Sequence, residues 1–269
     1  MKPGNGWTIG FAVVLMLGLW SVPSRADGLN LLVNGSFEQP IVSAGSTCGA
    51  YANCLGFHNG VAGNDNIGGW QLIGKGGVDG GGNPIPDAPA TVMVLGFAYT
   101  EPDNTTGQTL NFHPENGLQS VDLTGEGNQG TTNGIKQAVT TTAGLSYVLT
   151  FWVGHQYSIA AGYQNGASST ALYIDGQLVG PYSNAANTPE DVNWTRFSYG
   201  FEAASDQTVV AFLNNTVYGN NFAGLDNVTL EEVSPQLTAA SVAEPSSILL
   251  LGTGLTLLVS RLRAGAVPA

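Results

Sequence analysis

Apolar and polar residues alternate along most of the chain between residues 29 and 233, and alternation with period two predicts β-strands. The strongest run covers residues 146–153. Tyr147, Leu149, Phe151 and Val153 share one face, while Val148, Thr150 and Trp152 share the other. The first face is read as core. Residues 117–123, 134–139, 194–201, 208–213 and 225–233 alternate in the same way. Residues 69–73 and 90–99 are apolar enough for buried strands. Residues 171–174 and 177–179 flank Asp175-Gly176, a dipeptide favoured in the turns of twisted hairpins. Residues 30–38 predict a first strand that meets residues 223–231, so the two ends of one domain come together. Residues 41–66, 74–90 and 100–116 are too rich in Gly, Pro and polar residues for regular structure and are expected to be loops. That makes roughly nine or ten strands and no helix between the termini, which favours a two-sheet sandwich over a βαβ fold.

Both termini change the picture. Residues 1–26 have the three parts of a secretory signal: a sparse basic start at Lys2, an apolar stretch over residues 11–20, and small residues at Ser24 and Ala26 before Asp27. A signal helix removed by signal peptidase is expected. Residues 27–233 then form one β-domain, within the span of about 200–250 residues that such domains reach. Residues 234–242 read as a linker. Glu244 and Pro245 precede an apolar run over residues 248–259, which ends at Arg261 and Arg263. This predicts a short hydrophobic helix, marginal against a hydrocarbon core of about 30 Å. The trailing arginines place its C-terminal end in the cytoplasm, so a transient inner-membrane insertion is expected.

Composition narrows the function. Charged residues make up 10% of the chain and the net charge is −12, while 5 Trp, 9 Tyr and 10 Phe argue for a packed fold. Between the termini the basic residues are Lys75, Lys136 and Arg196. Such a surface repels phosphate backbones and anionic lipid, so nucleic acid is excluded as a partner. Divalent cations and neutral glycans suit it. Cys48 and Cys54 are separated by five residues in a small, polar loop. A disulfide in an exported protein is expected there, because a zinc site needs further ligands that the sequence does not space correctly.

Candidate chemistry is sparse. The chain has no Gly-x-Ser-x-Gly, no His-Glu-x-x-His and no phosphate-cradling glycine loop. His58, His113 and His155 are dispersed. Glu101, Asp103, Glu115, Glu190 and Asp191 are loop acids that a glycosidase could recruit, but solvated loop acids are common. Trp152, His155, Tyr157 and Tyr163 are the candidate ligand-binding residues, because Trp and Tyr faces stack on the C–H faces of sugars while polar neighbours orient hydroxyls. Trp70 and Trp194 could contribute, although a core position is the favoured reading of both.

Two resemblances extend this reading. The tail, with Glu244-Pro245-Ser246, the apolar run and the terminal arginines, resembles the PEP-CTERM sorting signal of Gram-negative bacteria, with Ala243 in place of the motif's first Pro. That resemblance implies cleavage by an exosortase and export linked to exopolysaccharide. The body resembles the DUF642-like and choice-of-anchor C domains. The matching residues are those of 30–38, Ser120-Val121-Asp122-Leu123, Ile135-Lys136-Gln137, residues 142–151 and Leu225-Asp226-Asn227-Val228. It implies a galactose-binding-like jelly-roll β-sandwich. It also implies that Glu38 and Asp226, with nearby carbonyls, hold a structural Ca²⁺. The alternative, two ordinary strand-end acids, stays open.

Together these features lead to an exported, non-catalytic protein of the cell surface or extracellular matrix, with polysaccharide as its candidate ligand. A purely structural matrix protein is the second reading and a glycan-active enzyme the third.

Overall fold

The computed structural model describes residues 29–74, 90–102, 106–125, 133–158, 166–186, 191–216 and 222–233. The expected signal segment, the linker, the sorting residues Glu244, Pro245, Arg261 and Arg263, and Tyr163 lie outside the described residues. Among the described residues every regular element is a strand. In chain order they are β1 (Thr47–Cys48), β2 (Tyr51–Ala52), β3 (Cys54–His58), β4 (Asn66–Ile67), β5 (Trp70–Ile73), β6 (Thr91–Gly96), β7 (Thr100–Pro102) and β8 (Thr109–Asn111). They continue with β9 (Gln119–Asp122), β10 (Gly134–Thr140), β11 (Ser146–His155), β12 (Ser168–Ile174), β13 (Gln177–Asn184), β14 (Asn193–Glu202), β15 (Gln207–Asn214) and β16 (Gly224–Glu232).

The pairing of the last eight strands defines the architecture. β12 pairs with β13, β11 with β14, β10 with β15 and β9 with β16, all antiparallel. These are nested pairs, as in one long hairpin folded at Asp175-Gly176. Successive pairs fall alternately in two sheets, so the hairpin is rolled up: a jelly roll. The first sheet has the order β14-β11-β16-β9-β6-β3, and the second β13-β12-β15-β10-β5-β4. At the tip, Asp175 and Gly176 take φ of 50° and 77°, which the tight hairpin turn requires. Asp175 Oδ1 also accepts the Val209 N–H at 2.7 Å.

The core lies between the sheets. Tyr147, Leu149, Phe151 and Val153 of β11 are buried there, as their spacing predicts. They meet Trp70, Leu72, Ile135, Leu172 and Phe212 of the second sheet. Phe151 and Phe212 pack edge-to-face at 4.9 Å, within the favoured range for aromatic pairs. A second apolar cluster forms around the ends of β3 and β6. The Cys48–Cys54 disulfide, Met93, Leu95, Tyr99, Leu110, Phe112 and Phe222 pack together there. The expected disulfide is therefore present, with its Cα atoms 5.4 Å apart.

Three expectations are corrected. Residues 100–116 hold a small hairpin as well as loop, because Thr100–Pro102 pairs with Thr109–Asn111. Residues 41–66 are more than a loop, because Cys54–His58 pairs with β6 and extends the first sheet. Residues 30–38 are not a strand. Asn34 and Phe37 take φ of 53° and 57°, which no strand allows. The segment still docks where the sequence placed it. Leu31 N–H donates to Leu230 O at 2.9 Å, and Val228 N–H donates to Gly35 O at 2.8 Å. Side chains replace the rest of the ladder. Asn30 Oδ1 accepts the N–H groups of Leu32 and Leu230, while Gln137 accepts from and donates to the Val33 backbone. Gly35 is required at its position, since a Cβ there would collide with the Val228 carbonyl oxygen.

Candidate functional site

The outward face of the first sheet carries the most concentrated candidate chemistry. On β11, Trp152 and Gly154 point away from the core. Trp152 is half-buried and stands opposite Arg196 of β14 and Asp226 of β16. Gly154 stands opposite Trp194, whose ring lies over it. A Cβ on Gly154 would come within 2.7 Å of that ring. Trp152 and Trp194 are thus diagonal neighbours on one sheet face, where such pairs are about 7–8 Å apart. Both are partly exposed. Arg196 is exposed beside them and, with Lys136, is one of two basic residues among the described residues. Trp194 is held in place by its Nε1, which donates to His113 O at 3.0 Å, and by edge contact with Phe222.

A β-bulge shapes one side of this shelf. The β11–β16 register slips between Thr150 and Trp152, and Asn227 takes a φ of 47°. The slip turns Asp226 under the loop that follows β8. Asp226 Oδ2 accepts the N–H groups of Glu115 at 2.8 Å and Asn116 at 3.0 Å. Its Oδ1 accepts the Asn227 N–H, and Asn227 Nδ2 reaches Glu115 Oε2 at 2.8 Å. Burial pushes the Asp226 carboxyl up to about 8, against the downward pull of its three N–H partners. The same loop is tied on its far side. Glu38 Oε1 accepts the N–H groups of Leu118 and Gln119, and the His113 ring meets the Asp191 carboxylate at 2.7 Å.

Each of the two acids expected to share a Ca²⁺ therefore anchors one end of residues 115–119. Neither bonding pattern requires an ion. Among the described residues no group of three or more His, Cys, Asp or Glu side chains is placed to hold a metal.

The other sequence candidates separate. His155 lies an odd number of residues from Trp152, so β-alternation turns it inward. It is 1% exposed, its Nδ1 meets Ser168 Oγ at 3.0 Å, and burial lowers its pKa. Tyr157 is half-buried just past the end of β11. Trp70 is buried against Phe37 and Phe212, as favoured. Trp194 departs from its favoured core reading and joins Trp152. The signal that could have found it is the alternation of β14, which puts residue 194 on the same side as Arg196. Glu101 meets the hydroxyl of buried Tyr99 at 2.5 Å, and Glu115 and Asp191 are engaged as described above. Asp103 and Glu190 lie outside the described residues.

A groove of about 330 Å³ lies beyond the loop, lined by Ile41, Val42, Phe97 and Leu118 with Glu38 and Asn53 at its polar margin. Phe97 is exposed and packs on the His113 ring at 4.5 Å.

No family model matches the chain, and no curated protein matches it. Among solved structures it is similar to the EclA C-terminal domain, a sugar-binding protein, with 19% identity and a TM-score of 0.29 over 36% of this chain and 64% of that one. It is similar to a family 35 carbohydrate binding module from Clostridium thermocellum, with 13% identity and a TM-score of 0.32 over 52% of this chain and 90% of that one. It is similar as well to the CBM36-1 domain of a multidomain xylanase from the hindgut metagenome of Trinervitermes trinervoides. There the identity is 10% and the TM-score 0.33, over 53% of this chain and 98% of that one. The jelly-roll assignment rests on the nested strand pairing.

Proposed function

We propose that this chain is a non-catalytic glycan-binding domain, exported and sorted to the cell surface or matrix by an exosortase-type system. The observation that carries the binding reading is the pair of half-exposed tryptophans, Trp152 and Trp194, on one rigid sheet face beside the Arg196 guanidinium. Flat aromatic faces offer stacking area to sugar C–H surfaces at little entropic cost. Arg196 and the edge of residues 113–116 supply donors and acceptors for hydroxyls. Tyr157 and Tyr163 stand next along the chain as further candidates. A polysaccharide is the ligand class that suits a shelf open along the strands rather than a closed pocket.

The test is retention of the protein on a panel of neutral and acidic polysaccharides, including the exopolysaccharide of the producing cell. Retention on at least one supports the reading, and retention on none leaves the purely structural role. The sorting part rests on the sequence of the tail. It predicts a mature protein that starts near Asp27 and ends near Pro245, and intact mass reads both termini at once. A full C-terminus in a host with a working exosortase would contradict it.

A further inference from the structure

The two six-stranded sheets have four edges, and three are blunted. β4 has two residues and β3 has five. β13 carries Gly180-Pro181, and its pairing with β12 slips at Leu172/Tyr173. These are the usual devices against edge-to-edge association. β14 has none of them. All ten of its residues, Asn193–Glu202, pair with β11 without a break, and among the described residues no strand pairs with its other side. Its inward side chains Phe197, Tyr199 and Phe201 are only half-buried, with the Tyr199 and Phe201 rings stacked at an interplanar angle of 15°. Arg196, Ser198, Gly200 and Glu202 alternate with them and are exposed.

The sequence of this strand is complementary to itself. Set two copies antiparallel about Tyr199, and each Arg196 faces the other copy's Glu202. Phe197 faces Phe201, Ser198 faces Gly200, and Tyr199 faces Tyr199. Opposite charges and aromatic pairs directly across strands are the stabilising combinations, and like charges never meet in this register. The backbone agrees whichever set of N–H and C=O groups of β14 points outward, because every pair joins positions of the same parity. We propose that β14 is a homodimerisation edge, and that a second copy of this chain pairs with it in the register centred on Tyr199 to form one continuous twelve-stranded sheet.

A two-fold axis perpendicular to the sheet leaves both outward faces on the same side. The two Trp152 side chains are then three strand spacings apart across the sheet, about 14 Å, and six residues apart along it, about 20 Å. Two shelves on one face would let a single polysaccharide engage both, with the gain in avidity that linkage brings. That consequence rests on the glycan-binding reading; the dimer does not.

Sedimentation analysis of the mature protein without any glycan is the test. A dimer is expected at micromolar concentrations. Arg196→Glu should weaken it at least tenfold, as should Glu202→Arg, and the double exchange should restore it. Both positions are exposed, so these variants are expected to fold, and circular dichroism checks this. Tyr199→Cys should give a disulfide-linked dimer on oxidation, since that pair straddles the axis. A monomer at about 100 µM, a dimer indifferent to the charge exchanges, or a Tyr199→Cys variant that stays uncrosslinked would each overturn the proposal. None of these readings depends on sugar binding.

Discussion

The Asn30 amide donates to the Val228 carbonyl at 3.1 Å across 198 residues of sequence, and so ties the two ends of the described domain together. Its Oδ1 accepts two further backbone N–H groups, from Leu32 and Leu230. One side chain thus does the work of a strand ladder where the chain itself is turned.

Asn30→Ala removes all three bonds and strands part-buried backbone groups. A loss of about 2 kcal/mol is expected. For a domain of this size that lowers Tm by about 4–8 °C. Thermal unfolding of the variant checks it. A Tm within a degree of the parent would mean that water replaces the clamp.

The pH dependence of stability follows from two buried acids. Burial raises Asp122 to about 7 and Asp226 to about 8, from an ordinary value of 3.8. A carboxyl raised on folding binds more protons in the folded state than in the unfolded one. Its stabilisation is complete below about pH 4 and is lost as pH rises through the folded value. The stability of the parent relative to Asp226→Asn should therefore fall between pH 5 and pH 8, read by denaturant unfolding at several pH values. A difference that is flat, or that grows with pH, would show that the three N–H donors hold Asp226 ionised instead.

Calcium at Glu38 and Asp226 is a proposal that chelation decides. If Glu38 and Asp226 share the ion, excess EDTA lowers Tm and added Ca²⁺ restores it, whereas a Tm unchanged by either leaves the two acids as loop anchors alone. A ligand that binds only the folded state would raise Tm with concentration, so a clear fall on chelation, abolished in Asp226→Ala, would establish the ion.

The core was legible because burial on one face imposes period two. Tyr147, Leu149, Phe151 and Val153 announce β11, and Asp175-Gly176 announces the β12–β13 hairpin. Leu31, Leu32 and Val33 give the first segment strand-like character, although it is not a strand. What decides its shape is the left-handed backbone at Asn34 and Phe37, held by distant partners: Trp70 Nε1 donates to Asn34 O and Gln119 Nε2 to Phe37 O. The same limit applied to the site. Alternation alone separates Trp152 from His155. The link between Trp152 and Trp194 needs the β11–β14 register, and the role of Asp226 needs the bulge, neither of which is a local property.

On the proposed function Trp152 is a stacking platform rather than a core residue. Affinity for a retained polysaccharide, measured by calorimetry or affinity electrophoresis for Trp152→Ala against the parent, tests it most directly. A stacking role predicts a loss of about 1 kcal/mol or more, at least about fivefold in Kd, with the Tm and circular dichroism of a folded domain. Unchanged affinity, or a variant that fails to fold, would contradict it.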